Sequence, residues 1–385
     1  MPRLDLAIVT ETYPPEVNGV AMTIARLAEG MRRNGHRVRI VRPRQGASDS
    51  ESRPDENLEC SDLTLPGFPM PGYAGLRFGL PARRRLCAIW RAARPDAVHV
   101  VTEGPLGWSA VAAARSLGIP VTSGFHTNFD RYSRHYGFGW LQPALAAYLR
   151  SFHRRTRATL VPTESLAASL TGEGLSGVRV VGRGVDVELF RPTRRSEVLR
   201  AEWGLAPGDL AVLHVGRVAA EKNIGLALRA FEAIAVRCPN ARFVVVGDGP
   251  LRGRLQSQYP QHHFAGQRTG ADLATHYASS DLFLFPSLTE TFGNVTQEAM
   301  ASGLAVVAFR SAAAAEMIVD GQNGRTITPG DESAFIQAAE SVAQNGQVRR
   351  TLGERARQRV LACGWGAVSL RFEAVLREAI SADIN

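Results

Sequence analysis

Two glutamates, Glu290 and Glu298, stand eight positions apart in the stretch TETFGNVTQEAM (289–300). An apolar run, DLFLFPS (281–287), leads into them and a helical pattern follows. They therefore bracket the point where a strand ends and a helix begins. An ionised carboxylate accepts hydrogen bonds from two neighbouring hydroxyls, which suits a vicinal diol of the kind a sugar and a ribose each offer. Glu298 lies about one turn into the helix at ~1.5 Å rise per residue. Phe292, Gly293 and Asn294 bring backbone N–H groups to the helix start, where phosphate or sugar hydroxyls can be met. Two glutamates so placed can hold the two ends of a nucleotide sugar with the diphosphate between them. Because carboxylates repel a diphosphate, such a site needs cations.

Arg217 and Lys222 in HVGRVAAEKN (214–223) supply them. They follow a strand and flank a helix start, where they can grip a diphosphate and steady the charge that grows when a bond to it breaks. The plainer account is a solvated strand end with Glu221 neutralising one cation. Among 45 basic residues, Lys222 is the only lysine. Chance can explain one residue, but the choice also fits a site that needs a compact ammonium instead of a planar fork. A third loop, TETYPPEVNGVAMT (10–23), joins two stiffening prolines to Asn18-Gly19 ahead of a helix. A helix start is a setting for phosphate, although Asn-Gly alone usually marks a turn.

The elements that must carry these loops are short apolar strands alternating with helical stretches. Residues 4–10, 36–43, 96–102, 120–126 and 158–163 read as one series of strands, and 210–217, 241–249, 262–266, 281–287 and 304–309 as a second. Near-continuous apolar strands separated by helices mean parallel sheets covered on both faces, and two series mean two doubly wound α/β domains. A chain of 385 residues is long enough for two cores. The join falls in the charged stretch 184–204. In such sheets ligands bind beyond the carboxyl ends of the strands, where all three loops lie.

Bulk composition excludes some classes. No apolar run reaches the roughly 18–20 residues that cross a bilayer, and the N-terminus lacks the shape of a signal peptide. Cys60, Cys87, Cys238 and Cys363 lie far apart and read as reduced thiols of a cytosolic protein, not as a zinc site. Residues 1–186 hold 24 arginines against 16 acidic residues, while the remainder is nearly balanced. A basic first half suggests an anionic contact such as a membrane surface. No motif for nucleic-acid binding accompanies the charge. In 83–94, Leu86, Ile89, Trp90 and Ala93 form one stripe and Arg83, Arg84, Arg85, Arg91 and Arg94 lie largely elsewhere. A sheet-covering helix is the preferred reading, and the Pro/Gly-rich loop before it is the better candidate for a membrane or acceptor contact. The stretch 149–160 is a second basic patch.

GRVAAEKN together with ETFGNVTQE, a Glu-x7-Glu pattern, resembles the retaining glycosyltransferases of family 4, which have the two-domain GT-B architecture. The resemblance runs from the Asn18-Gly19 loop to the C-terminal helix. FHTNFDRYSRHYG (125–137) is similar to a subgroup that includes sulfoquinovosyl-diacylglycerol synthases and phosphatidylinositol mannosyltransferases. The resemblance implies that Arg217 and Lys222 contact the donor diphosphate, Glu298 the nucleotide ribose, and Glu290 the donor-sugar hydroxyls with the Phe292–Asn294 backbone beside it. His126 would face the reacting sugar and Gly19 would line the donor and acceptor side of the first domain. His99, His135, His262 and His263 are candidates by residue type alone. The tail 365–380 resembles a final helix that crosses back onto the first domain. The expected organisation is an N-terminal Rossmann-like domain (1–190), a C-terminal nucleotide-sugar domain (191–364) and this helix (365–385).

The expected function is transfer of a hexose with retention, mannose from GDP-mannose, onto a lipid or glycan acceptor at the cytoplasmic membrane face. The chain would act as a cytoplasmic, peripheral enzyme with a nucleotide sugar as co-substrate, GDP- or UDP-linked, and no separate cofactor. No DxD motif is evident and the cations supply the charge a metal supplies elsewhere, so no metal dependence is expected. A UDP-sugar-dependent glycolipid synthase of the same fold, a nucleotide-sugar epimerase and a non-catalytic nucleotide-sugar binder remain as alternatives.

Overall fold

A computed structural model describes residues 2–16, 18–44, 62–69, 77–126, 142–290 and 292–382. The chain divides into two compact units, one of residues 1–184 with 365–385 and one of 185–364. The first junction lies a few residues before the boundary expected from sequence, because Val185 and Phe190 belong to the core of the second unit.

The first unit contains β1 (Asp5–Val9), α1 (Gly19–Arg33), β2 (Arg37–Pro43), β3 (Leu63–Leu65), β4 (Gly67–Pro69), β5 (Arg77–Gly79), α2 (Arg83–Ala92), β6 (Ala97–Val100), α3 (Pro105–Ser116), β7 (Val121–Gly124), α4 (Gln142–His153), β8 (Ala158–Val161), α5 (Glu164–Gly172) and β9 (Val178–Val180). Its seven-stranded sheet has the order β3-β2-β1-β6-β7-β8-β9, and β4 and β5 form a separate hairpin. Every pairing in the large sheet is parallel. The second unit contains α6 (Glu197–Glu202), β10 (Ala211–Val215), α7 (Ile224–Arg237), β11 (Arg242–Val246), α8 (Arg252–Gln258), β12 (His263–Gly266), α9 (Gly270–Ala278), β13 (Leu282–Phe285), α10 (Asn294–Ala301), β14 (Ala305–Phe309), α11 (Ala312–Met317), β15 (Arg325–Ile327), α12 (Glu332–Gln344) and α13 (Gly346–Leu361). Its six strands, all parallel, run β12-β11-β10-β13-β14-β15.

The central strands of the second sheet form where apolar residues cluster. Ala211–Val215, Leu282–Phe285 and Ala305–Phe309 are buried at every position, as strands covered by helices on both faces must be. Burial of Phe243, Phe283 and Phe309 contributes about 1.5–3 kcal/mol each by area removed from water. All ten expected strands occur, somewhat shorter than their apolar patterns. Edge strands β3, β9 and β15 and the hairpin were not expected; each strand is three residues long, too short to carry a periodic signal.

The last helix, α14 (Trp365–Ser381), packs Phe372, Val375 and Leu376 among Ile24, Leu27 and Met31 of α1, inside the first unit. A buried polar contact accompanies it. His36 accepts the Leu4 N–H at Nδ1 and faces Glu373 at 3.1 Å through Nε2. Burial alone would raise the Glu373 carboxyl, but bonds from His36 and Arg377 outweigh it and hold the group below the usual carboxylate range. Helix α2 buries Leu86, Cys87 and Trp90 against α3 and leaves Arg83, Arg84 and Arg85 exposed, so it covers the sheet. Among the described residues no helix is long and apolar enough to cross a membrane.

Candidate active site

In each sheet the strand order reverses direction once, between β1 and β6 in the first unit and between β10 and β13 in the second. Ligands of doubly wound folds sit beyond the carboxyl ends of the strands at that point. The four charged candidates of the second unit follow β10 and β13.

Arg217 follows β10, and Lys222 closes a short 3-10 turn, Ala220–Lys222, before α7 begins at Ile224. Lys222 Nζ donates to Glu290 Oε1, and Ser287 Oγ donates to the same carboxylate at 2.9 Å. The ammonium also lies 3.5 Å from the Thr289 carbonyl and 6.0 Å from the centre of the Phe285 ring. A backbone bond from Leu288 N–H to the Glu221 carbonyl, 3.0 Å, ties the loop after β13 to the loop after β10. Arg217 extends into solvent with its side chain 42% exposed, and Nη1 lies 3.4 Å from Glu221 Oε1. The neutralising role considered for Glu221 thus has a geometric basis.

Gly293 adopts φ 86°, a left-handed conformation that favours glycine, and serves as N-cap of α10. A Cβ there would come within 3.5–3.6 Å of Cγ and the carboxyl group of Glu290, so the position sits directly under that side chain. Phe292 is buried, and its carbonyl accepts the Ala313 N–H at 2.7 Å. Asn294 is the first residue of α10 and Glu298 the fifth. Glu298 is held separately. Its Oε2 accepts the Tyr277 phenol at 2.9 Å, and burial raises its carboxyl to about 7 against that bond.

In the first unit, Gly19 opens α1. Asn18 caps the helix by accepting the N–H groups of Val20 and Ala21 at 3.1 and 2.9 Å. His126 follows β7. Both of its ring nitrogens are buried without a hydrogen-bond partner among the described residues. Burial, with Arg183 and two other histidines nearby, pushes its basicity well below the usual histidine range, so the ring is neutral at physiological pH. It lies over the backbone of Gly124, where a Cβ would meet Nε2 at 2.3 Å. The rest of the stretch around it, with His135, lies outside the described residues, as does Cys60. The other histidines are structural: His99 is a core residue bonded to Thr122, and His262 packs among Phe231, Phe243 and Tyr259. His263 is half-buried beside Trp203.

Residues 17–189 match the model of Glycosyltransferase Family 4, and residues 209–345 that of glycosyl transferases group 1. A GDP-mannose-dependent alpha-mannosyltransferase from Mycobacterium tuberculosis is 34% identical over 94% of this chain and 93% of its own. The chain belongs to glycosyltransferase family 4. This family 4 transferase is also 28% identical to an alpha-monoglucosyldiacylglycerol synthase from Streptococcus pneumoniae, over 79% of the chain and 70% of that protein. Sucrose-phosphate synthase from Thermosynechococcus elongatus superposes with a TM-score of 0.78 over 99% of this chain and 100% of that one, at 20% identity. The pair of Rossmann-like units is the GT-B architecture. Family membership sets aside the epimerase and the non-catalytic binder.

The transferase contains site features that residue types and spacing did not reveal. Ser287 holds Glu290, Tyr277 holds Glu298, and Gly247 lets the loop after β11 press on the loop after β10. Gly247 has φ 138°, and a Cβ on it would meet the Gly216 carbonyl oxygen at 1.9 Å. A hydroxyl inside an apolar strand or helix pattern carries no spacing signal. The Gly247-Asp248-Gly249 triplet after a strand was the one available cue.

Proposed function

We propose that the transferase moves a mannosyl group from GDP-mannose to a lipid or glycan acceptor, with retention and without a metal ion. The observation that carries this reading is the linkage of Lys222, Glu290 and Ser287 beside Arg217 at the reversal point of the second sheet. In the proposed complex Arg217 and Lys222 hold the diphosphate, Glu290 accepts bonds from sugar hydroxyls beside the Phe292–Asn294 backbone, and Glu298 holds the ribose diol. The bond from the anomeric carbon to the diphosphate oxygen breaks and its electron pair leaves with the phosphate. The acceptor oxygen bonds to the same face of that carbon, and its proton passes to the departing phosphate oxygen. The cations stabilise the charge that develops there, and positioning supplies much of the rest. His126, neutral and weakly basic, hydrogen-bonds near the reacting sugar and removes no proton; Gly19 lines the same side.

The M. tuberculosis relative, named as GDP-mannose-dependent, supports the donor, and the diacylglycerol in the S. pneumoniae relative's name supports a lipid acceptor. Membrane contact is assigned to the first unit, where Phe68 and Leu80 are exposed in and next to the β4–β5 hairpin and Arg83–Arg85 follow. The protein would then sit peripherally on the cytoplasmic face of the membrane.

Thermal shift with GDP, UDP, GDP-mannose and UDP-glucose tests the donor. The guanosine ligands should raise Tm most; a larger shift with UDP would turn the reading to a UDP-sugar-dependent glycolipid synthase. Turnover should survive EDTA, and a strict need for magnesium or manganese would overturn the metal-free mechanism. Flotation with anionic vesicles should weaken as salt rises; no flotation, or flotation indifferent to salt, removes the membrane assignment.

A further inference from the structure

Tyr277 is fully buried on α9, and its ring packs on Phe190 and Phe283 with centroids 5.6 and 5.9 Å away. A buried phenol costs free energy unless its hydroxyl finds a partner, whereas phenylalanine would fill nearly the same space without that cost. The hydroxyl donates to Glu298 Oε2 at 2.9 Å and lies 3.4 Å from the Val295 carbonyl. It bonds one side of the carboxylate and leaves Oε1 without a side-chain partner among the described residues. A carboxylate held at one oxygen from behind presents the other in a fixed direction. We infer that Tyr277 is a positioning residue that aims Glu298 at the ribose diol of the donor. The inference rests on the reading of Glu298 as the ribose-binding group.

The same bond favours the ionised form of Glu298, which a diol-accepting carboxylate requires. Burial opposes it, and the balance leaves the carboxyl at about 7. Other ionisable groups on the neighbouring elements are engaged elsewhere or act weakly. Arg357 on α13 donates to the Phe190 and Ala301 carbonyls, His276 on α9 bonds the Asp272 carbonyl, and Glu316 lies on α11. Lys222 is held by Glu290. Burial and the phenol are the two influences resolved at Glu298.

The test is calorimetric titration of GDP and UDP into the full-length protein and its Tyr277→Phe and Glu298→Ala variants from pH 6 to 8.5. The nucleotide that binds the wild type then serves as the probe throughout. Tyr277→Phe should weaken that nucleotide by roughly 5–20-fold at pH 7. It should also move the pH at which affinity falls upward, and raise KM for the donor more than it lowers kcat. A Tyr277→Phe protein with a lower Tm but an unmoved pH midpoint and unchanged affinity would reduce Tyr277 to a packing residue and overturn the inference. If Glu298→Ala binds nucleotide as the wild type does, the ribose reading itself fails. If Glu298→Ala loses affinity and Tyr277→Phe does not, only the role of Tyr277 fails.

Discussion

The two sheets reverse direction in the same way but close their helix starts differently. In the first unit Asn18 caps α1 with its own side chain, and Glu11, from the loop after β1, accepts the Leu106 N–H at the start of α3. In the second unit the N-caps of α7 and α10 are Asn223 at φ 51° and Gly293 at φ 86°, both left-handed, and neither caps with its side chain. Among the described residues the two non-glycine positions with positive φ, Asn223 and Ala312, are both in the second unit. A left-handed conformation costs a residue with a Cβ roughly 1–2 kcal/mol and asparagine somewhat less. Strain of this kind gathers at functional sites. One fold can thus use its helix starts to hold itself together, or shape them with backbone alone, the arrangement that receives an anion.

The largest effect expected from this contrast is at Lys222. Lys222→Ala should lower kcat by about 10²–10³, the loss typical of one group that stabilises developing charge, with a smaller change in nucleotide affinity. Lys222→Arg should not restore it, because the planar fork does not fit an ammonium held between Glu290, the Thr289 carbonyl and the Phe285 ring. Steady-state kinetics on both variants decides the matter; a fully active Lys222→Arg would remove the argument for a compact cation.

Next comes Glu298, where stability and binding should move in opposite directions. Its folded carboxyl, raised to about 7 from an ordinary 4.5, keeps a proton that the unfolded chain releases. Stability is therefore lost as pH rises through that window, by an amount of order 1–3 kcal/mol. Glu298→Gln cannot ionise. It should match the wild type in Tm near pH 5, exceed it by several degrees at pH 8, and bind nucleotide more weakly at pH 8, the difference narrowing towards pH 5 where the wild-type carboxyl is itself protonated. Equal Tm values at pH 8 would mean that Glu298 is not strained by burial.

The contrast between the units was only partly visible beforehand. The ten expected strands were legible because apolar residues cluster in each, and the four charged candidates stood out because unlike charges recur after strands. Lys222 and Glu290, from the loops after two neighbouring strands, do meet. The partners behind them were hidden. Ser287 and Tyr277 sit within apolar patterns, and a hydroxyl's role depends on where the fold aims it. Asn18-Gly19 and Phe292-Gly293-Asn294 looked alike as turns before helices, yet one uses its asparagine as a cap and the other caps with a left-handed glycine. That distinction is made by φ, which residue type constrains only loosely.

Gly293→Ala probes the helix start that no side chain caps. A Cβ at φ 86° should cost about 1–2 kcal/mol, and the backbone shift that relieves it would move the loop against Glu290, whose side chain lies at van der Waals distance from that Cβ. Donor KM should rise together with the fall in Tm. A fall in Tm with unchanged KM would mean that the loop strains without moving the carboxylate.

The smallest effect on chemistry, and the sharpest check of the contrast, is expected from Asn18→Ala. Two helix N–H groups lose their acceptor, which typically costs about 0.5–2 kcal/mol. The same change leaves the start of α1, like that of α10, without a side-chain cap. If caps in the first unit serve only the fold, Tm drops and nucleotide affinity stays within about twofold, since the groups assigned to the nucleotide lie in the second unit. If affinity instead changes severalfold while Tm holds, then Asn18 is shaping a ligand contact. The two helix starts would then differ in degree, not in kind.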